Sequence, residues 1–131
     1  MNRILVDSSV WIDYLRSGKA AVADYLENIL QEQTAVTCGV VVTEVIHGYR
    51  NKSEQKFMEE VFEVIPYIEI ERKDWEDTAK LLSSLEHRGM TISIADGLIA
   101  QVCIRHNLHL LTLDKIFKRI ERVKAIPLSS L

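Results

Sequence analysis

Thiols are scarce: Cys38 and Cys103 are the only cysteines in 131 residues. Both lie in apolar surroundings, so a reduced, buried pair is expected. Two lone cysteines build neither a disulfide framework nor a thiolate metal site. Long apolar runs are missing too. None approaches the roughly 20 residues of a membrane span. The short apolar stretch near the start is cut by Asp7, which excludes a secretory leader as an expectation. Positive charge is not in excess: 16 Lys and Arg against 19 Asp and Glu leave a net charge of −3. That argues against coating nucleic acid by bulk charge and still allows a local basic patch. Metal-ligand spacing is absent among His47, His87, His106 and His109, which read as structural. No repeat, linker or low-complexity segment interrupts the chain. What remains is one expected domain over residues 1–131, with the 47% hydrophobic and 27% charged content of an ordinary globular protein. The expected location is the cytoplasm, away from membranes.

The chain is organised around Ile4-Leu5-Val6-Asp7-Ser8-Ser9-Val10-Trp11. Ile4 to Val6 is a continuous apolar run, as in a strand buried on both faces of a parallel sheet. After Asp7, the spacing of Val10, Trp11, Tyr14 and Leu15 is that of an amphipathic helix. Asp7 therefore stands where a buried strand gives way to a helix, the carboxyl end at which open α/β sheets bind ligands. A second helix carries Val22, Tyr25, Leu26, Ile29 and Leu30, and a second strand spans Thr34 to Cys38. Gly39 to Tyr49 reads as a helix, Arg50 to Glu54 as a loop, and Phe57, Met58, Val61 and Phe62 as one face of another helix.

A strand is expected within Val64–Ile70. Asp74 then caps a helix in a box with Asp77, and that helix ends at Gly89. Ser93 to Asp96 opens an apolar helix ending at Asn107. A strand from His109 to Leu113 leads to Asp114, a short helix holds Ile116, Phe117 and Ile120, and Val123 to Pro127 is a last edge strand. The alternation β-α-α-β-α-α-β-α-α-β-α-β predicts a three-layer α/β/α fold with a central, mainly parallel sheet of four to five strands.

Four acids stand out by location. Asp7 and Asp114 each follow a strand. Asp96 lies in the first turn of an apolar helix, where the helix dipole favours a carboxylate. Glu44 sits within the apolar run Val40 to Ile46, where charge is costly unless compensated. Singly, these are a cap, a turn residue, a helix-start acid and a surface glutamate. Together at one sheet edge they would repel one another unless a cation sat among them. Oxygen donors without His or Cys point to Mg²⁺ or Mn²⁺. Such a site activates water and steadies a phosphate, which is metal-dependent phosphodiester hydrolysis.

The blocks Val6 to Leu15, Thr43-Glu44-Val45, Ile94 to Ala100 and Leu111-Thr112-Leu113-Asp114 resemble the PIN-domain nucleases. More closely, they are similar to the VapC-type ribonuclease toxins of bacterial and archaeal toxin–antitoxin pairs. The resemblance runs through the whole chain in order. It implies that Asp7 and Asp96 bind Mg²⁺, directly or through water, and that Glu44 and Asp114 complete the acidic site. Ser8 and Thr112 match small hydroxyl positions nearby. It also implies an RNA substrate, a separate antitoxin protein and a homodimer. One departure follows Asp114: Lys115-Ile116-Phe117 stands where many relatives carry a further acid or polar residue, so a fifth acidic ligand is not expected.

Other residues have plainer readings. Asp13, nearly two helical turns past Asp7, reads as a surface residue. Trp11, Tyr14, Tyr49 and Phe62 read as core, with a dimer surface as the alternative. Large apolar residues on the helices from Trp11 to Leu30 and Phe57 to Phe62 exceed what a small domain is expected to bury. Lys115, Lys118, Arg119 and Arg122 cluster after Asp114, as a solvated face or an RNA-backbone contact. Replacing Asp7 or Asp96 by Asn is expected to leave the fold at least as stable, since one of a repelling set is removed. Two other classes fit less well. A haloacid-dehalogenase-like phosphatase needs a second acid two residues after the first, where this chain has Ser9. An idle binding module on the same fold would lose the acids, and all four are here.

Overall fold

A computed structural model describes residues 2–131. The strands are β1 (Ile4–Val6), β2 (Ala35–Cys38), β3 (Tyr67–Ile68), β4 (His109–Leu111) and β5 (Lys124–Ala125). The helices are α1 (Ser8–Leu15), α2 (Ala20–Gln31), α3 (Gly39–His47), α4 (Lys52–Val64), α5 (Arg72–His87) and α6 (Ile94–His106), with 3₁₀ turns at Lys115–Arg119 and Leu128–Ser130. The five strands form one all-parallel sheet in the order β3-β2-β1-β4-β5. The predicted three-layer α/β/α fold is therefore present. Among the described residues, no helix is long and apolar enough to cross a membrane.

Burial explains the order. Every residue of β1 and β2 is buried, so these strands need neighbours and cover on all sides, and they take the centre of the sheet. The core joins Leu5, Val6, Val36, Leu110 and Leu111 from the strands to Trp11, Leu26, Val41, Met58 and Ile99 from the helices. From β1 the chain winds outward to β2 and β3, then crosses to β4 on the other side of β1. The strand order reverses between β1 and β4, and a crevice opens at the carboxyl ends where connections leave in opposite directions.

Several elements differ from the sequence expectation. The Val64–Ile70 strand shrinks to Tyr67–Ile68, and the His109–Leu113 strand ends at Leu111. The Arg50–Glu54 loop is shorter than expected, because Asn51 accepts from the Glu54 amide and starts α4 at Lys52. The box at α5 lies one turn earlier. Glu71 is the cap and Asp74 the third helical residue, with the Asp74 carboxylate accepting from the Glu71 amide at 2.9 Å. Asp74 itself is wholly buried and takes a forked pair of bonds from Arg105 of α6 at 2.5 and 3.0 Å. Asn107 does end α6, in the left-handed conformation with φ 53°.

Asp13 is not a free surface residue. It is half-buried and accepts from the Lys19 amide at 2.9 Å across the α1–α2 turn. A Cβ at Gly18 would collide with its carboxylate, which would then have to move. The expected surplus on α1, α2 and α4 is mostly absorbed: Trp11 is wholly buried and meets Phe62 edge-on at 6.0 Å, while Tyr14 stacks on Phe57. Among the described residues the exposed large apolar side chains are Ile46, Phe57, Val64, Tyr67, Trp75 and Ile94, and of these only Phe57 belongs to the predicted set. Cys38 and Cys103 are buried and free, as expected.

Candidate active site

Asp7 ends β1 and caps α1, accepting from the Ser8 amide at 2.8 Å. Its second oxygen accepts from the Ser9 hydroxyl at 2.9 Å and the Thr112 hydroxyl at 2.7 Å. These bonds offset the desolvation of a carboxylate that is only 4% exposed. They also tie Asp7 to the far side of the crevice. Ser9 Oγ accepts from the Leu113 amide at 3.1 Å, and Thr112 Oγ1 accepts from the Asp114 amide at 3.0 Å. Asp114 is exposed and caps the 3₁₀ turn, accepting from the Ile116 amide at 3.0 Å. Thr112 thus links the positions of two acids from opposite ends of the chain.

Glu44 projects from α3 and accepts from the Ser8 hydroxyl at 3.0 Å through Oε1. No protein donor among the described residues reaches Oε2. Burial holds its carboxyl above the usual carboxylate range, against the Ser8 bond that lowers it, and the charges of Asp7 and Asp96 push the same way as burial. Asp96 lies in the first turn of α6, where its amide donates to Ser93 Oγ at 3.1 Å. Burial raises its pKa as well, followed by the charges of Asp114 and Asp7. All four acids therefore share one electrostatic neighbourhood at the crevice between β1 and β4, although only Asp7 is buried outright.

Cations suit such a place. Yet among the described residues no three His, Cys, Asp or Glu side chains group closely enough to hold one ion by themselves. The donors on offer are fewer than three grouped carboxylates, with the hydroxyls of Ser8, Ser9 and Thr112 bonded to Glu44 and Asp7 beside them. That fits Mg²⁺, which keeps several waters and takes one or two carboxylates. It does not fit an ion that demands a full protein shell.

Ser9 is the residue that sequence reading missed. It fills the position that counted against a phosphatase, yet its hydroxyl bridges Asp7 to the segment after β4. The signal was the run of two serines after Asp7, but the bridge exists only because β1 pairs with β4. The basic residues Lys115, Lys118, Arg119 and Arg122 are all exposed, and among the described residues none of them is in an ion pair.

The fold and site define a class: a parallel α/β/α protein with an acidic crevice at the reversal of its strand order. The PIN domain family matches residues 4–123, and the chain belongs to that family. It is 26% identical over 131 residues to the VapC ribonuclease Mb1587 of Mycobacterium bovis, covering 97% of this chain and 98% of that protein. Its fold is similar to that of VapBC2 from Rickettsia felis, solved bound to a DNA fragment from its promoter. There the TM-score is 0.81 at 20% identity, covering 94% of this chain and 96% of that one. A toxin–antitoxin complex from Klebsiella pneumoniae gives a TM-score of 0.76 at 20% identity, covering 95% and 97%.

Proposed function

We propose that this chain is an Mg²⁺-dependent endoribonuclease, the toxic member of a toxin–antitoxin pair. The observation that carries the reading is the hydrogen-bonded seam at the β1–β4 crevice, where Ser8 beside Asp7 donates to Glu44, Thr112 joins Asp7 to the Asp114 amide, and Asp96 stands in the first turn of α6. Asp7 and Asp96 are the residues that would hold the ion, with Mn²⁺ as the other candidate. Bound there, it would polarise a water and offset charge on the phosphate. The chain's own groups do the rest. Ser9 and Thr112 hold Asp7 still, so its charge is preset. Ser8 orients Glu44 through Oε1 and leaves Oε2 free to take a proton. Asp114 adds negative charge from the other wall. The ribonuclease naming of a relative that aligns along nearly the whole chain supports RNA as the substrate. The toxin–antitoxin neighbours support a cognate antitoxin as partner, and a homodimer is the assembly we adopt.

Expression of the lone chain in a bacterium, followed by sequencing of RNA ends, tests this directly. New ends are expected at defined sites and should vanish with Asp96→Asn. The purified chain should cut RNA in Mg²⁺ and stop in chelator. No new ends in the cell and no cleavage of purified RNA would overturn the reading.

A further inference from the structure

The parallel ladder between β1 and β4 stops one rung short of the acids. Leu5 lies beside Leu110 and Val6 beside Leu111, and the Asp7 amide donates to the Leu111 carbonyl at 2.9 Å. The next rung would run from the Leu113 amide to the Asp7 carbonyl. That carbonyl is already engaged, because Asp7 caps α1 and its carbonyl accepts from the Val10 amide at 3.0 Å. The turn from strand to helix thus takes away the acceptor that the Leu113 amide would need. Ser9 supplies another. Its Oγ accepts from the Leu113 amide at 3.1 Å and donates to Asp7 Oδ2 at 2.9 Å. A side chain of α1 makes the rung that the backbone of β1 cannot, just beyond the point where β4 ends.

Thr112 makes a parallel link. Its hydroxyl donates to the same Oδ2 at 2.7 Å and accepts from the Asp114 amide at 3.0 Å. Two relays, each from amide to hydroxyl to carboxylate, therefore converge on one oxygen of Asp7. A hydroxyl polarised by a carboxylate is the better acceptor for its amide, so the charge of Asp7 tightens both. The Asp114 carboxylate accepts from the Ile116 amide within its own turn, so its place in the crevice is set by its backbone. The Leu113 and Asp114 amides of that backbone are held by Ser9 and Thr112. We propose that Ser9 is a positioning residue for Asp114, its hydroxyl standing in for a strand hydrogen bond and fixing the spacing of the two walls of the crevice. The consequence for an ion rests on the nuclease reading: loss of Ser9 weakens the hold on the cation by displacing Asp114. The rung itself is measurable without any ion.

Amide hydrogen exchange in chelator reads the rung. Ser9→Ala should speed exchange at Leu113 by about tenfold. The Ile126 amide, which donates to the Leu110 carbonyl on the other side of β4, should exchange as before. Ser9→Thr, which keeps the hydroxyl, should keep the Leu113 protection. Calorimetric titration with Mn²⁺ reads the consequence. Ser9→Ala should weaken Mn²⁺ binding about tenfold in the otherwise unaltered chain. In an Asp114→Asn background it should change almost nothing, because the charge it positions is already gone. Equal exchange at Leu113 in wild type and Ser9→Ala overturns the rung and leaves the nuclease reading intact. So does an equal loss of Mn²⁺ affinity in both backgrounds, which would confine Ser9 to Asp7. A wild type that neither binds Mn²⁺ nor cuts RNA sinks the nuclease reading and this coupling together.

Discussion

Asp7 and Asp96 carry the same charge in the same crevice, yet their environments call for opposite outcomes on neutralisation. Asp7 is held by a backbone amide and two hydroxyls, all donating to its charged oxygens. Asp7→Asn weakens three charge-assisted bonds and turns an amide NH₂ toward groups that were donors, so it should lose about 2 kcal/mol. Asp96 accepts no comparable set, and its pKa is raised by burial and by its acidic neighbours. A carboxyl raised in the folded state costs stability when ionised; the cost sets in as pH climbs past the ordinary carboxylate value and is complete above the raised one. Asp96→Asn should therefore melt higher than wild type in chelator at pH 7 and converge with it at acid pH. Thermal melts of both variants check this. If Asp7→Asn also melts higher, its hydrogen bonds contribute nothing net. Sequence alone assigns both substitutions the same sign, because counting acids reveals repulsion but not which acid has donors. Thr112 was legible as a hydroxyl near the site; its bond to a residue 105 positions away was not.

At the level of elements, α5 and α6 pack closely and share one buried charge pair. Burial works to raise the pKa of Asp74, but its bonds from Arg105 and the Glu71 amide prevail and hold it below the usual carboxylate range. A depressed carboxyl stabilises fully above its unfolded pKa and loses that contribution as pH falls through the folded value. Asp74→Ala should thus cost about 3 kcal/mol at pH 7, at the lower end for a broken buried pair because Arg105 keeps contact with water. Its deficit should shrink below about pH 4. Urea titrations at the two pH values measure it, and an equal deficit at both would remove the ion pair from the account. The sequence placed this helix correctly and its cap one turn late. Glu71, Asp74 and Asp77 repeat every three residues, so two box registers are equally legible. Arg105, thirty-one residues on, decides between them.

The 3₁₀ turn Lys115–Arg119 is the second element with a measurable consequence. If its cations meet RNA phosphates, replacing Lys118 and Arg119 by Ala should weaken RNA binding at low salt. It should also flatten the salt dependence, by roughly 0.7 in the logarithmic slope for each phosphate of a single strand that is no longer neutralised. Cleavage sites should stay where they are, since phosphate contacts position a strand without reading it. Identical slopes for the two proteins would make the turn a solvated face.

The molecule as a whole follows from patterns the sequence displays openly. Apolar runs at Ile4–Val6 and Ala35–Cys38 became central strands, and alternation with helices led to a parallel sheet. Which side of β1 each later strand would join was not written in any local pattern, and the crevice depends on that choice. The apolar surplus was misplaced for a related reason. The helices α1 and α2 turned their large side chains inward, α4 leaves Phe57 and Val64 exposed, and Trp75 and Ile94 are exposed elsewhere. The homodimer should nonetheless register as twice the chain mass in light scattering at micromolar concentration. A strict monomer would remove it.

The strand order also has a consequence in time. β1 is made before β4, and the bond from Thr112 to Asp7 spans 105 residues. Chains are synthesised from the amino end. A half-made polypeptide on the ribosome therefore carries Asp7 with neither Thr112 to anchor it nor Asp114 opposite, and it has no crevice. Whatever this protein hydrolyses, it cannot begin until synthesis has passed Asp114.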